Sequence, residues 1–359
     1  MLAIGLMSGT SLDGIDAALI ESDGELVTAW LGGVTIPYDT QFRDSLRACL
    51  GAREWSAEIR LVEMELTDRH TETVSLLLEM LSVSRDTVDL IGFHGHTITH
   101  DPAFKFTWQL GAADDLAKCT GIDVVAKFRN ADVASGGEGA PLVPAYHCAL
   151  ARNLPKPVVF LNLGGVANVT WVGEGDQLVA FDTGPANALI DDWISERTDK
   201  IFDEDGAIAA TGQVNKAGLE ILLENKFFVR PSPKSLDRNE FNIAALQGLS
   251  LEDGAATLSA FTVESVVLAL HQFLSLPTRI VVTGGGRHNT HLMGLLAKKV
   301  NIPVDPVEAV GWNGDLLEAE AFGYLAIRSV LNLPISWPTT TGVKIPLIGG
   351  QFFPKDRSD

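Results

Sequence analysis

The sequence predicts an α/β protein of two duplicated halves, and two internal parallels carry that expectation. Residues 158–163 read as an apolar strand that turns on Gly164-Gly165; 166–172 form a second strand, a polar turn occupies 173–176, and 177–181 form a third strand. Short apolar runs punctuated by glycine clusters are the signal of a strand meander. The front of the chain repeats the order, with strands at 2–6, 15–21 and 26–30 around turns at 7–14 and Asp23-Gly24. The second parallel sets 88–95 against 280–286, each an apolar run that follows a helical pattern and ends in small residues. Repeats this long mean a duplicated domain, because solenoid units run about 20–50 residues. At roughly 150 residues per domain, the 359 residues divide into halves at 1–155 and 156–359, with the helix at 315–331 free to pack back on the first.

Composition narrows the function. A net charge of −19 excludes general affinity for nucleic acid, which depends on clustered Lys and Arg. A small anion can still be held by backbone N–H groups. Cys49, Cys119 and Cys148 have unrelated spacings that give neither a disulfide framework nor a metal pattern, so they are read as packing residues of a reducing compartment. The N-terminus starts as a strand rather than a basic flank with a long apolar segment, and no run of about 18 apolar residues follows. The expectation is a soluble, cytoplasmic protein without membrane or nucleic-acid partners.

In chain order, the first turn sets Gly9, Thr10 and Ser11 ahead of Leu12, Asp13, Gly14, Ile15 and Asp16. Glycine and successive hydroxyls suit a polyphosphate, and Asp13 or Asp16 suits a hydrated Mg²⁺. A plain polar β-turn is the alternative, against which the echoes at Gly164 and Gly184 weigh. Residues 55–81 carry Ile59, Val62, Leu66, Val74 and Leu77 near helical spacing, a packing helix. A strand at 88–93 leads to His94, Gly95, His96, Thr97 and His100. His-x-His suits zinc, yet no Cys or His cluster follows, and imidazoles with hydroxyls equally suit a substrate-facing loop. After a helix at 112–119, Arg129 lies beside the glycine-rich run 135–144. Its guanidinium either grips a carboxylate or phosphate or pairs with Asp123 or Asp132. A helix at 146–152 closes the first half before Pro155.

In the second half, the third meander strand delivers Asp182 into Thr183-Gly184-Pro185, a carboxylate at a glycine turn where no Cβ keeps an anion from the backbone. Asn187 caps a helix at 187–198, and another helix spans 212–224. The polar, lid-like segment 227–242 holds Lys234, either a solvated surface lysine or a phosphate contact. A helix at 253–273 and a strand at 279–282 lead to Gly284, Gly285 and Gly286, where a flat ring can lie against backbone. This run is no Rossmann or Walker fingerprint, but its place in a duplicated fold makes it a candidate adenine site. The last helix has Asp315 and Glu318 near its start, where the helix dipole favours acids.

The opening Gly5-Leu-Met-Ser-Gly-Thr-Ser-Leu-Asp-Gly-Ile-Asp16 is followed in order by His94-Gly95, Phe128-Arg129, Gly136-Gly-Glu-Gly-Ala-Pro-Leu142, Asn162-Leu-Gly-Gly-Val-Ala-Asn168, Phe181-Asp-Thr-Gly-Pro185, Pro233-Lys-Ser235, Gly284-Gly-Gly286 and Glu318-Ala319. This set resembles the anhydro-N-acetylmuramic acid kinase family over nearly the whole chain. The resemblance implies the hexokinase, heat-shock chaperone and actin superfamily, in which two ribonuclease-H-like (actin-like ATPase) domains close an interdomain cleft over ATP and Mg²⁺. It implies that water opens the 1,6-anhydro bridge of the sugar at C1 while O6 takes the γ-phosphoryl group, giving N-acetylmuramic acid 6-phosphate in peptidoglycan recycling. By the same likeness Asp182 is the general base. The turn from Gly9 to Asp16, with Gly164, Gly165, Asn168 and Gly184, binds the nucleotide phosphates, and Gly284, Gly285 and Gly286 bind adenosine. His96, Arg129 and Glu318 contact the sugar, and the protein is a homodimer. The resemblance assigns no set of metal ligands.

Four places depart from the family pattern. His96 and Glu138 stand where Gln is usual, Ala186 where Gly is usual, and Leu236-Asp237 where Thr-Gly is usual. The first two replace neutral amides by a titratable pair. Two other functions stay open: a kinase of another anhydro sugar such as levoglucosan, and a non-enzymatic ATP-binding module of the actin or chaperone kind. Asp182 on its glycine turn weighs against the second.

Overall fold

The computed structural model describes residues 1–9, 11–236 and 240–355, so Thr10, Asp237 and Arg238 lie outside the described residues. The chain forms two compact units, Met1–Arg152 with Asp315–Asp359, and Asn153–Gly314.

The first unit opens with an antiparallel meander, β1 (Leu2–Ser8), β2 (Gly14–Ser22) and β3 (Val27–Pro37). Helices α1 (Thr40–Ala48) and α2 (Ala57–Leu81) follow. Ser56 starts α2 by accepting the Ile59 N–H, the side-chain cap that an orphaned first turn requires. β4 (Leu90–Asp101) then lies parallel to β1, with Gly5 opposite Gly92. β5 (Phe106–Leu110) pairs with the far end of β4, and α3 (Ala113–Thr120), β6 (Val124–Ala126), α4 (Asn130–Ala134) and α5 (Pro144–Leu150) complete the run. In the second unit, β7 (Val158–Leu163), β8 (Val166–Val172) and β9 (Leu178–Pro185) form the second meander. They are followed by α6 (Asn187–Ser195), α7 (Lys216–Leu223), α8 (Leu251–Leu270), β10 (Arg279–Thr283), α9 (Thr290–Val300) and β11 (Val304–Pro306). The chain ends with α10 (Leu317–Val330) and β12 (Gln351–Phe353) in the first unit.

The sheets run β12-β6-β4-β1-β2-β3 and β11-β10-β7-β8-β9. Apart from β12 at one edge and β5 beside β4, the two orders correspond strand for strand. Each has an antiparallel meander extended by two parallel strands, the ribonuclease-H-like plan that the family resemblance implies. Burial explains the composition: β1 and β7 lie inside their sheets and are almost wholly buried, so they read as continuous apolar runs. In the first unit Ile4, Leu6, Ile91 and Phe93 meet Val74 and Leu77 of α2 and Leu116 of α3. In the second, Val159, Leu161 and Ile280 meet Val263 and Val266 of α8 and Leu292 of α9. Although α8 is long and apolar enough in composition to cross a membrane, 72 % of its most apolar window is buried, as in a core helix.

Several local expectations need correction. The segment from 315 onward, expected in the second half with its helix free to pack back on the first, groups with the first unit, where α10 lies directly on the sheet: a Cβ at Gly5 would sit 1.7 Å from the Ala319 carbonyl oxygen, and one at Gly92 2.0 Å from that of Phe322. His94 to His100, expected as a loop, continue β4. The register shifts between Phe93 and His96, Gly95 adopts φ +72°, and the strand goes on to pair His96 with Leu110. Such a bulge re-aims a strand without ending it. Gly184 is not in a turn but in β9, opposite Ala167. Asn187 does not cap α6; its Nδ2 donates to the Leu163 carbonyl, and Ala186 is the cap residue.

Where α10 meets α5, the Tyr146 hydroxyl donates to Glu320 Oε2 at 2.7 Å and itself accepts from Trp30 Nε1 at 2.9 Å. Burial pushes the Glu320 carboxyl up from 4.5 to about 7, against the lowering by the Tyr146 hydrogen bond. The folded state therefore holds the proton more tightly than the unfolded state. This stabilisation is complete below pH 4.5 and is lost as pH rises through 7, a change of about 3 kcal/mol. In Glu320→Gln that dependence is expected to vanish. Urea midpoints of the variant, set against wild type, should climb steadily in its favour from pH 5 to pH 8; a constant difference would refute the burial argument.

Candidate active site

In the first unit, the turn between β1 and β2 is closed by the Leu12 N–H donating to the Gly9 carbonyl at 3.1 Å. Leu12 has φ +60° and a buried side chain in the core with Ile15, Phe42 and Leu110. At Gly9 a Cβ would meet only Ser11, closely at Oγ (3.3 Å) and at its N–H nitrogen (4.0 Å). Gly14 is needed for packing instead, since its Cβ would lie 2.3 Å from the Ile36 carbonyl oxygen. Ser11 Oγ and the Gly14 N–H both donate to Asp13 Oδ1, at 2.7 and 3.0 Å. Asp16 accepts from Thr35 Oγ1 at 2.5 Å. Burial raises the Asp16 carboxyl to about 6 despite that bond, and the charges of Asp13, Glu318 and Asp315 add to the rise.

Of these acids Glu318 also acts on Arg129. Its Nε and Nη2 both point at His94 Nε2, at 3.1 and 3.0 Å, and its Nη1 donates to the Gly139 carbonyl at 2.8 Å. His94 Nδ1 donates to the Gly95 carbonyl at 2.8 Å, which leaves Nε2 as the acceptor of a neutral ring. Burial, and then the Arg129 charge, hold His94 well below the ordinary imidazole range. Burial lowers Arg129 to about 10 while the Glu318 and Asp132 charges support its protonated form. Glu318, at the start of α10, has an accessible side chain, and its carboxyl is raised by desolvation and lowered by Arg129. Asp123 is not the partner of Arg129; it accepts from the Lys355 N–H.

His96, expected as a sugar contact, is fully buried: its Nδ1 is 2.9 Å from Ser8 Oγ, which is 2.6 Å from the Tyr38 hydroxyl. The bulge in β4 turns this ring into the core, where burial lowers it to about 4. It supports the residue that precedes the Gly9 turn. The zinc alternative finds no support, since among the described residues no group of three or more His, Cys, Asp or Glu could hold a metal.

In the second unit, Asp182 is half-buried on β9 opposite Asn168 of β8. Its Oδ2 accepts the Leu236 N–H at 2.8 Å, and its own N–H donates to the Lys234 carbonyl at 3.0 Å. Lys234 is neither a solvated lysine nor turned outward. It is 8 % exposed, with Nζ donating to the Phe227 carbonyl at 3.0 Å and lying 4.3 Å from the Phe227 ring centroid. Gly164 and Gly165 leave their surroundings open, with no atom nearer than 3.4 Å to where a Cβ would stand. Gly184 instead makes room for Ser265 of α8, 2.7 Å from where its Cβ would be. Gly284, at φ +74°, lies against Asn162 and the Leu163 backbone, Gly286 packs on Leu163, and Gly285 faces open space. Arg287, which sequence reasoning passed over, secures this loop: Nη1 donates to the Gly284 carbonyl at 3.0 Å and Nε to Glu308 Oε1 at 2.9 Å. Its only local signal is its position after the glycines.

The anhydro-N-acetylmuramic acid kinase family model matches residues 1–355. An anhydro-N-acetylmuramic acid kinase of Rhizorhabdus wittichii is 52 % identical over 357 residues, covering 98 % of each chain. One of Rhodospirillum rubrum is 50 % identical over 355 residues, covering 98 % of this chain and 94 % of that protein. Among solved structures, the activator of the 2-hydroxyisocaproyl-CoA dehydratase from Clostridium difficile with bound ADPNP aligns with 92 % of this chain and 96 % of its own at 10 % identity and TM-score 0.48. The ROK hexokinase from Thermus thermophilus aligns with 90 % and 99 % at 15 % identity and TM-score 0.43. By the full-length family match and the extent of identity to its relatives, the chain belongs to the anhydro-N-acetylmuramic acid kinase family.

Proposed function

We propose that the protein uses ATP to phosphorylate anhydro-N-acetylmuramic acid while water opens its 1,6-anhydro ring, giving N-acetylmuramic acid 6-phosphate. The observation that carries this reading is Asp182, a carboxylate held by the Leu236 N–H at 2.8 Å in the strand pair that grows from the open Gly164-Gly165 turn. A carboxylate so oriented can take a proton from water. The water oxygen bonds to C1 as its proton passes to Asp182, the C1–O6 bond breaks, and O6 bonds to the γ-phosphorus of ATP as the bond to the bridging oxygen breaks and ADP leaves. Phosphoryl transfer otherwise needs positioning and charge neutralisation.

The remaining roles are those the family likeness implies, and residue chemistry supports them. Gly9 and Ser11 offer backbone and hydroxyl donors to phosphate, with Thr10 included by the family pattern, and Gly285 offers an open backbone face to adenosine. Arg129 and Glu318 contact the sugar, the guanidinium facing the lactyl carboxylate. Mg²⁺ fits Asp13 and Asp16, because a cation favours the ionised form of Asp16 against the burial and, after it, the neighbouring acid charges that raise it, and this ion binds through one or two carboxylates plus phosphates. When bound it neutralises phosphate charge. We take the protein to be a cytoplasmic homodimer, as the family likeness implies.

The test is turnover with ATP and anhydro-N-acetylmuramic acid in oxygen-18 water. The phosphorylated product is expected to carry one solvent oxygen at C1. A product that keeps the anhydro ring, or gains no label, would overturn the coupled reaction, and equal catalytic efficiency on levoglucosan would move the substrate class.

A further inference from the structure

The sequence places three histidines within seven residues, and two of them have found their roles beside Arg129 and Ser8. The third is His100, farther along β4. Its Nε2 donates to the Glu138 carbonyl at 2.8 Å, and its Nδ1 lies 2.9 Å from Thr107 Oγ1. A carbonyl only accepts, so Nε2 carries the proton and Nδ1 receives the Thr107 hydroxyl proton. Thr107 in turn accepts from Gln109 Nε2 at 2.8 Å. The chain Gln109 to Thr107 to His100 to Glu138 therefore runs in one direction and fixes the His100 tautomer.

Its end point is the loop that holds Arg129. Glu138 donates its N–H to the Thr341 carbonyl at 2.7 Å, and the next residue, Gly139, donates to Asp132 Oδ1 at 2.7 Å and accepts from Arg129 Nη1. Asp132 is buried and is itself bonded through Oδ2 to Thr341 Oγ1 at 2.6 Å. Gly139 has φ +69°, and a Cβ there would lie 2.9 Å from His100 Cε1, so the backbone is drawn against the imidazole. Thr341 and Asp132 hold the loop from one side, and His100 holds the Glu138 carbonyl from β4.

We propose that His100 is a positioning residue for sugar recognition: by anchoring the Glu138 carbonyl it sets Gly139, and through Gly139 the plane of the Arg129 guanidinium that meets the carboxylate of the sugar. The proposal rests on the functional reading above. A guanidinium recognises a carboxylate through paired, coplanar hydrogen bonds, so a tilt of its plane weakens that contact while the nucleotide is unaffected.

The test is steady-state kinetics of the full chain with anhydro-N-acetylmuramic acid and ATP. His100→Ala is expected to raise the sugar KM about five- to tenfold, the worth of one hydrogen bond, with kcat and the ATP KM within about twofold of wild type. His100→Gln, whose amide can still donate to the Glu138 carbonyl, should recover most of the loss. Thr107→Val leaves His100 and its loop contact in place but removes the hydroxyl that orients the ring, and a rise of about threefold in sugar KM is expected. Should His100→Ala fail to fold, the Gln and Val variants still decide the matter: Thr107→Val with an unchanged sugar KM overturns the proposal. An active wild type with an unchanged sugar KM in His100→Ala, or sugar and ATP KM rising together, also overturns it and leaves the function standing. A wild type that phosphorylates no anhydro sugar removes both.

Discussion

Asp182→Asn is expected to lower kcat by about a thousandfold while ATP affinity stays at the wild-type value, because removing a general base typically costs two to four orders of magnitude. The substitution isolates charge from geometry. An amide oxygen accepts the Leu236 N–H as well as the carboxylate does, so the 2.8 Å anchor at this end of β9 survives. Neither the cross-strand pairing with Asn168 nor the backbone bond from Asp182 N–H to the Lys234 carbonyl depends on the side chain. What is lost is a group basic enough to accept a proton from water. Asp182→Ala removes the anchor as well, so the segment at 234–236 loosens and a further fall is expected. Steady-state rates with calorimetric ATP titration decide the matter: a kcat within tenfold of wild type in Asp182→Asn would refute the base assignment, and a matching loss of ATP affinity would place Asp182 on the nucleotide instead.

Much of the fold is legible in the sequence because its signals are local. The second meander reads as strands at 158–163 and 166–172, and β7 and β8 have those bounds, since apolar runs between glycine turns need no distant partner to be recognised. Its echo at the N-terminus announces the duplication, which the two corresponding sheets display. Non-local features stay hidden. The bulge that carries β4 past Gly95 is set by the Leu110 carbonyl, 2.4 Å from where a Cβ on Gly95 would be, and no spacing in 88–95 announces it. Lys234 reads as a surface residue until the Phe227 carbonyl supplies its partner, and His96 as a ligand contact until Ser8 does. In the candidate site, Asp182 and Arg129 are charged residues beside glycines and stand out. The groups that orient them, Leu236 N–H, His94 and Gly139, acquire that role only from geometry.

The C-terminal helix is the clearest of these non-local features, and Gly5→Ala should expose it with a loss of more than about 3 kcal/mol in stability. Overpacking usually costs about 1–3 kcal/mol when side chains can rotate away. Here they cannot help. The added Cβ would lie 1.7 Å from the Ala319 carbonyl oxygen and 2.6 Å from the Gly323 N–H nitrogen, both of them backbone. Relief requires β1 and α10 to part by more than about 1 Å along a contact that also includes Gly92, whose Cβ would lie 2.0 Å from the Phe322 carbonyl oxygen. Separation opens a gap beneath Phe322, which is buried and packs on His94 at 4.5 Å between centroids. Gly294→Ala is the control, a glycine inside α9 with no atom near its Cβ; removing backbone freedom there is expected to stabilise by about 0.5–1 kcal/mol. Urea unfolding of the two variants should therefore move in opposite directions. Since Glu318 precedes Ala319, residual folded Gly5→Ala is also expected to bind the sugar less well than ATP. A Gly5→Ala protein within about 1 kcal/mol of wild type would mean that α10 does not rest backbone to backbone on β1.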